Sequence, residues 1–192
     1  MTFFFLPDFR KRYRFISSEP VHEIHMKFSR WKKIWEEARR RLMLLPPRIL
    51  RQEQAFEAIL NHSSPQVEIL LPAGPEEKRI HRKFFFFIQR QRSLHVALLI
   101  VETVLLPISG LMALLPGPNI FFGILALIMF AHWRGLRGIN RLAGKKICFR
   151  PSPLLQEWAD ALEKGQEAGY ADLLSRIEKE YDLPNLRKVL YR

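Results

Sequence analysis

Hydrophobic and charged positions fall into separate blocks along this chain. From Leu94 to Trp133, forty residues contain no Lys or Arg and one acid, Glu102. Basic residues crowd both sides, with Arg79, Arg82, Lys83, Arg90 and Arg92 before and Arg134, Arg137, Arg141, Lys145 and Lys146 after. The pattern predicts two apolar helices, Leu94 to Leu115 and Asn119 to Trp133, lying in a membrane. The reversal between them falls on Pro116, Gly117, Pro118 and Asn119, because proline lacks an amide hydrogen and glycine turns freely. The first arm has 22 residues, about 33 Å as a helix, against a hydrocarbon core of ~30 Å. The second has 15, about 22 Å, so it spans only if Arg134 snorkels or the bilayer thins. A re-entrant pair is the alternative. Pro107 predicts a kink in the first arm. A buried hairpin inside a soluble helical protein is the plainer reading, and the basic clusters at both open ends count against it.

The flanks carry weaker periodicities. Phe28, Trp31, Trp35, Ala38, Leu42 and Leu45 recur at helical spacing, which predicts a helix over 21–45, either on a membrane surface or packed on its neighbour. A second helix is expected over 48–60. Val67 to Leu71, between Pro65 and Pro72, is the best strand, and Phe3 to Leu6 is its one evident partner. The aromatic block Phe84 to Phe87 beside basic residues suits a membrane interface. Ser152 and Pro153 form an N-cap and N1 pair, opening a helix with Leu155, Trp158 and Leu162 on one side. Tyr170, Leu173, Leu174, Ile177 and Tyr181 mark another amphipathic helix. The expected fold is therefore mainly α. Amphipathic helices surround a two-helix membrane hairpin, with one short β-strand pair at most. The expected divisions are a basic helical region over 1–92, the apolar hairpin over 93–134 and a helical region over 135–192.

Charge sharpens the placement. The formal net charge is +12. Residues 1–93 carry 19 Lys and Arg against 10 Asp and Glu, and residues 134–150 carry six basic residues and no acid. Basic flanks stay on the cytoplasmic side, so both termini are expected there. Each basic residue near an anionic leaflet contributes ~1 kcal/mol, so lipid head groups are the expected partner. Nucleic acid is not, since no binding motif accompanies the charge. A mean hydropathy of −0.09 excludes a polytopic transporter. Any conducting path would need a homo-oligomer or another membrane protein. Cys148 is the single cysteine, which excludes an internal disulfide and a cysteine metal site. His22 and His25 flank Glu23, but no third ligand is marked by spacing, so no metal is expected. Nor is an enzyme or a cofactor, for there is no phosphate-binding glycine loop and no nucleophile motif. The apolar-then-basic start is the wrong order for a secretory signal.

His95, Glu102 and Ser109 lie seven apart and share one helical face within ~20° per heptad. Ionisable groups at membrane depth face a partner or a water path. This face is the candidate site for protons or cations. A structural role, with Glu102 bonded to the second arm at Asn119 or at a carbonyl freed by Pro107, is the favoured reading of it. The run Pro107-Ile108-Ser109, then Leu115-Pro116-Gly117-Pro118-Asn119-Ile120-Phe121-Phe122, then His132-Trp133-Arg134 and Gly138, resembles the mitochondrial K+/H+ exchange-related family. His132, Trp133 and Arg134 form the motif at the membrane interface. The resemblance implies a role connected with potassium–proton exchange across a membrane, as a component or accessory. It implies the mitochondrial inner membrane or the bacterial cytoplasmic membrane. Without a convincing transit peptide, the expectation is a bacterial member.

Overall fold

The computed structural model describes residues 2–18, 47–74, 77–111, 120–165, 167–183 and 186–190. At its centre is a four-stranded mixed sheet in the order β2-β1-β3-β4. The strands are β1 (Thr2–Pro7), β2 (Tyr13–Ser17), β3 (Gln66–Pro72) and β4 (Lys146–Ser152). β1 pairs antiparallel with β2, placing Phe5 opposite Phe15, and parallel with β3, placing Phe3 opposite Ile69. β3 and β4 are parallel, from Gln66 opposite Lys146 to Pro72 opposite Ser152. The helices are α1 (Pro47–Asn61), α2 (Glu77–Leu111), α3 (Ile120–Ala143), α4 (Pro153–Lys164), α5 (Tyr170–Tyr181) and α6 (Leu186–Leu190).

Alternation along β1 builds two cores. Side chains of a strand point to opposite faces in turn. Phe3 and Phe5 join Phe15, Val67, Ile69 and Leu71 against α1, the start of α2 and the end of α3. Phe4 and Leu6 join Ile16 and Leu70 against α4, α5 and α6. Helices thus cover both faces, and this is why β1 is apolar throughout rather than alternating. Aromatic rings fill the first core, with Phe84 edge-on to Phe5 at 5.2 Å and Phe15 stacked on Phe3 at 5.2 Å. In the second, Trp158 is fully buried and donates its indole N–H to the Pro7 carbonyl at 2.9 Å. The β1–β2 turn is tied by Asp8. Its carboxylate accepts from the Arg10 and Arg12 amides at 2.9 Å and pairs with Arg14 at 2.9 Å, an aspartate turn of the usual kind.

The C-terminal helices follow their sequence signals. Ser152 caps α4 by accepting from the Leu155 amide, Pro153 follows it, and Gly165 ends the helix in the left-handed conformation at φ 68°. Leu155, Trp158 and Leu162 are buried as expected, and so are Tyr170, Leu174 and Ile177 of α5.

The expected mainly α fold around a two-helix membrane hairpin, with one strand pair at most, is overturned. A four-stranded sheet organises the protein. Two strands escaped the sequence reading. Tyr13–Ser17 is short and starts in a basic run. Lys146–Ser152 has Lys146 and Arg150 exposed and contains Pro151, all features tolerated on an edge strand. Among the described residues one helix, within Lys78–Gly110, is long and apolar enough to cross a membrane, and 11% of its apolar window is buried. α3 does not qualify. Its apolar part, Ile120 to Trp133, has 14 residues, about 21 Å, and its second half turns Ile139 and Leu142 into the sheet core. Pro107, where a kink was expected, lies inside α2, which continues to Leu111. The turn Pro116, Gly117, Pro118 and Asn119 lies outside the described residues, as do the helix expected over 21–45 and His22 and His25. Phe84 to Phe87 is divided, with Phe84 buried in the core while Phe85 and Phe86 are 54% and 68% exposed.

Candidate functional site: a carboxylate–imidazole ladder between three helices

α2 and α3 together make the crossover from β3 to the parallel strand β4. α1 packs beside α3 because glycine clears the crossing. A Cβ on Gly138 would fall 2.1 Å from the Phe56 carbonyl oxygen, so the two backbones touch where that side chain is missing. One turn earlier, a Cβ on Gly135 would fall 2.7 Å from Glu53 Oε2 and 2.8 Å from His95 Nε2. Gly135 therefore opens a slot in which side chains of α1 and α2 meet over α3.

Four ionisable side chains occupy this seam. His95, fully buried, places Nε2 2.9 Å from Glu53 Oε2 of α1 and Nδ1 2.8 Å from the Gln91 carbonyl one turn back. His132 of α3 lies next, its ring perpendicular to that of His95 with centroids 5.8 Å apart. Its Nδ1 is 2.5 Å from Glu102 Oε1 of α2. Glu102 is 6% exposed, and its Oε2 has no hydrogen-bond partner among the described residues. Beside the ladder, Arg134 pairs with Glu57 at 2.9 Å. Glu53 and Glu57 are one helical turn apart on α1, so the same face supplies both carboxylates.

The chemistry follows from donors and acceptors. A carbonyl only accepts, so His95 Nδ1 carries a hydrogen for Gln91. The Nε2–Glu53 contact then holds one further proton, as imidazolium with carboxylate or as imidazole with carboxylic acid. The His132–Glu102 contact holds another. Each pair binds a proton that either partner can own. The seam lies at the root of the exposed apolar part of α2. Beyond it Ile100 and Val104 are each 60% exposed, and Val96, Val101, Leu105 and Ile108 also face outward.

Of the face read from the sequence, His95 and Glu102 belong to the ladder. Ser109, a heptad further on, donates back to the Leu106 carbonyl of its own helix at 2.8 Å. Glu102 does bond to the following helix, through His132; Asn119 lies outside the described residues. The triplet His132, Trp133, Arg134 points three ways. His132 meets α2 and Arg134 meets α1, while Trp133 stays 43% exposed under the Arg137 guanidinium, 4.8 Å from its ring. Glu53 and Glu57 were missed. Two acids one turn apart, in a strongly basic half of the chain, were the available signal. Away from the seam, burial raises the Tyr181 hydroxyl above its ordinary pKa, and it shares a 2.7 Å hydrogen bond with Ser152.

Fold and site together define an α/β sandwich with, among the described residues, one helix of membrane length and an ionisable seam midway along that helix. Residues 12–144 match the family described as mitochondrial K+-H+ exchange-related, and the chain belongs to that family. The matched stretch contains all three helices of the seam and ends before β4. No curated protein and no solved structure matches the chain.

Proposed function

We propose that this protein is held in a membrane by α2 and serves cation and proton homeostasis there, as a component or accessory rather than a complete transporter. The observation that carries the reading is the outward-facing apolar run Val96 to Ile108 on α2, in a chain of a family related to K+-H+ exchange. Left in water, those side chains would form an unusually large apolar patch for a soluble monomer. The strands before α2 and after α3, β3 and β4, are paired in one sheet, so both ends of the α2–α3 crossover lie on one side of the bilayer. Exposed Arg82, Lys83, Arg90 and Arg92 on the same helix would face anionic head groups, and such residues keep to the cytoplasmic side. The cytoplasmic membrane of a bacterium suits this reading, or the inner membrane of a mitochondrion. The chain offers one helix of membrane length among the described residues, so a conducting path would need further copies or another membrane protein. No enzymatic role is proposed.

Washing membranes with alkaline carbonate and then with high salt tests the location. Apolar insertion does not depend on salt, whereas basic contacts do. Retention through both is expected, and release by salt alone would sink the membrane reading. A membrane-anchored scaffold is the second reading, favoured by exposed Phe85 and Phe86 beside Arg82 and Lys83. Potassium-dependent proton flux in liposomes holding this protein with its copurifying partners supports the first. A membrane-bound complex that never changes flux supports the second.

A further inference from the structure

We propose that Glu53, His95, His132 and Glu102 act as a single proton-binding unit, loaded from water at Glu53 and delivering to Glu102 as terminal acceptor. It deepens the membrane reading above and rests on it. The two ends differ in access. The Glu53 side chain is 29% exposed, that of His95 is 0%, that of His132 is 23% and that of Glu102 is 8%. His95 and Glu102 are a heptad apart on α2, about 10 Å along the axis, so the ladder runs from the edge of the sandwich into the apolar segment. Glu102 ends it with an oxygen that has no partner among the described residues, the place where a further hydrogen bond can form.

The steps conserve one proton. A proton taken up at Glu53 Oε2 passes to His95 Nε2, while Nδ1 keeps its hydrogen on the Gln91 carbonyl. The 5.8 Å between ring centres excludes a direct hop in the resting arrangement, so the rings must move or admit a water. Gly135 makes room, because it leaves bare backbone opposite His95 Nε2 and Glu53 Oε2. His132 accepts the proton at Nε2 and gives its Nδ1 proton to Glu102 Oε1. Glu102 ends as a neutral acid, and Glu53 returns to a carboxylate. The charged groups around the ladder are Glu53 and Glu57 on α1, Glu102 on α2, and His132 and Arg134 on α3. Arg134 pairs with Glu57 at 2.9 Å, which keeps Glu57 out of the path.

Nitrogen NMR of His95 and His132 in lipid nanodiscs tests the unity of the ladder. Groups that share protons titrate together. Glu102→Gln, which keeps the shape and touches His132 rather than His95, should still move the His95 midpoint by about one pH unit. An unmoved His95 midpoint would mean two separate ion pairs and would overturn the proposal. Should Glu102→Gln fail to fold, His132→Gln is read in the same way. Infrared spectroscopy after a rapid pH drop tests the direction of loading. The protonated-carboxyl band that Glu102→Gln removes should rise at least tenfold more slowly in Glu53→Gln. An equal rise would overturn entry at Glu53. Either result is independent of the carbonate wash. A coupled ladder in a protein that salt releases would refute the membrane reading alone.

Discussion

Gly138→Ala is the smallest substitution that probes how the seam is assembled. The new methyl would lie 2.1 Å from the Phe56 carbonyl oxygen, 2.7 Å from its carbon and 3.2 Å from Cα. These are backbone atoms of α1, so no rotamer change relieves them. A tolerable approach of ~3.3 Å requires α1 and α3 to part by roughly 1 Å. Overpacking of this kind costs about 1–3 kcal/mol, and a backbone obstacle belongs at the upper end. Alanine in a helix returns ~1 kcal/mol relative to glycine. The net loss is then about 2 kcal/mol, or a fall in Tm of ~4–8 °C at this chain length. Thermal unfolding of the purified protein in detergent, followed by circular dichroism, measures it. Gly110→Ala is the control, since nothing among the described residues lies within 4 Å of its Cβ position, and it should match or exceed the parent. A Gly138→Ala protein as stable as Gly110→Ala would refute the close crossing, and with it the slot that aligns the ladder.

Three further outcomes are expected. Ser152→Ala removes the cap accepted from Leu155 and the hydrogen bond to Tyr181, and should cost ~1–2 kcal/mol in denaturant unfolding. Arg134→Met should cost about 2–3 kcal/mol, discounted from ~3–5 for full burial because a fifth of each side chain is exposed, while Arg134→Met with Glu57→Leu should recover most of it. Cysteines at Lys83 and Lys146 in a Cys148→Ser background should label from the same face of sealed vesicles, because one sheet anchors both flanks; labelling from opposite faces would contradict that anchoring.

The sequence made some layers of this protein plain and hid others, and the reason differs by element. α4 and α5 were legible because they carry local signals: Ser152 and Pro153 at one end, Gly165 at the other, and heptad-like spacing from Leu155 to Ile177 between. The apolar block was legible as a block, but its architecture was not. Charge marks where the exposed apolar surface stops. It does not say that Phe84, Ile139 and Leu142 turn inward to a sheet. That sheet was hard to see because its strands come from distant parts of the chain, and its edges carry Tyr13, Arg14, Lys146 and Arg150, which read as basic loop. His95 and Glu102 were found through their rarity at apolar positions. Their partner Glu53 was not, and His132 stood out only in the interface motif and not as the partner of Glu102, since contacts 42 and 30 residues apart in sequence are set by the crossing of α1 over α3, and that crossing is announced by two glycines alone.

The crossover explains why the seam sits where it does. Parallel strands β3 and β4 must be joined by a connection that leaves one end of the sheet and returns to the other. A single helix of strand length would suffice. Here the connection is far longer, and its two helices are buried only where they lie against the sheet and α1. At the boundary, α2 changes from a helix that packs Ile80 and Phe84 into protein to one that presents Ile100 and Val104 outward. A buried charge is costly on either side of that boundary, in core or in lipid. At the boundary itself three helices converge, and α1 is still present to supply a carboxylate. Glu53 and Glu57 lie in the middle of α1, and Gly135 and Gly138 let α3 approach them. His95 is held between Gln91 and Glu53, and Glu102 lies a heptad beyond, where α1 no longer serves and His132 takes its place. The alternation of acid and imidazole along the seam is thus what remains possible as one helix after another withdraws. Glu102, at the far end, has one oxygen answered and, among the described residues, one not.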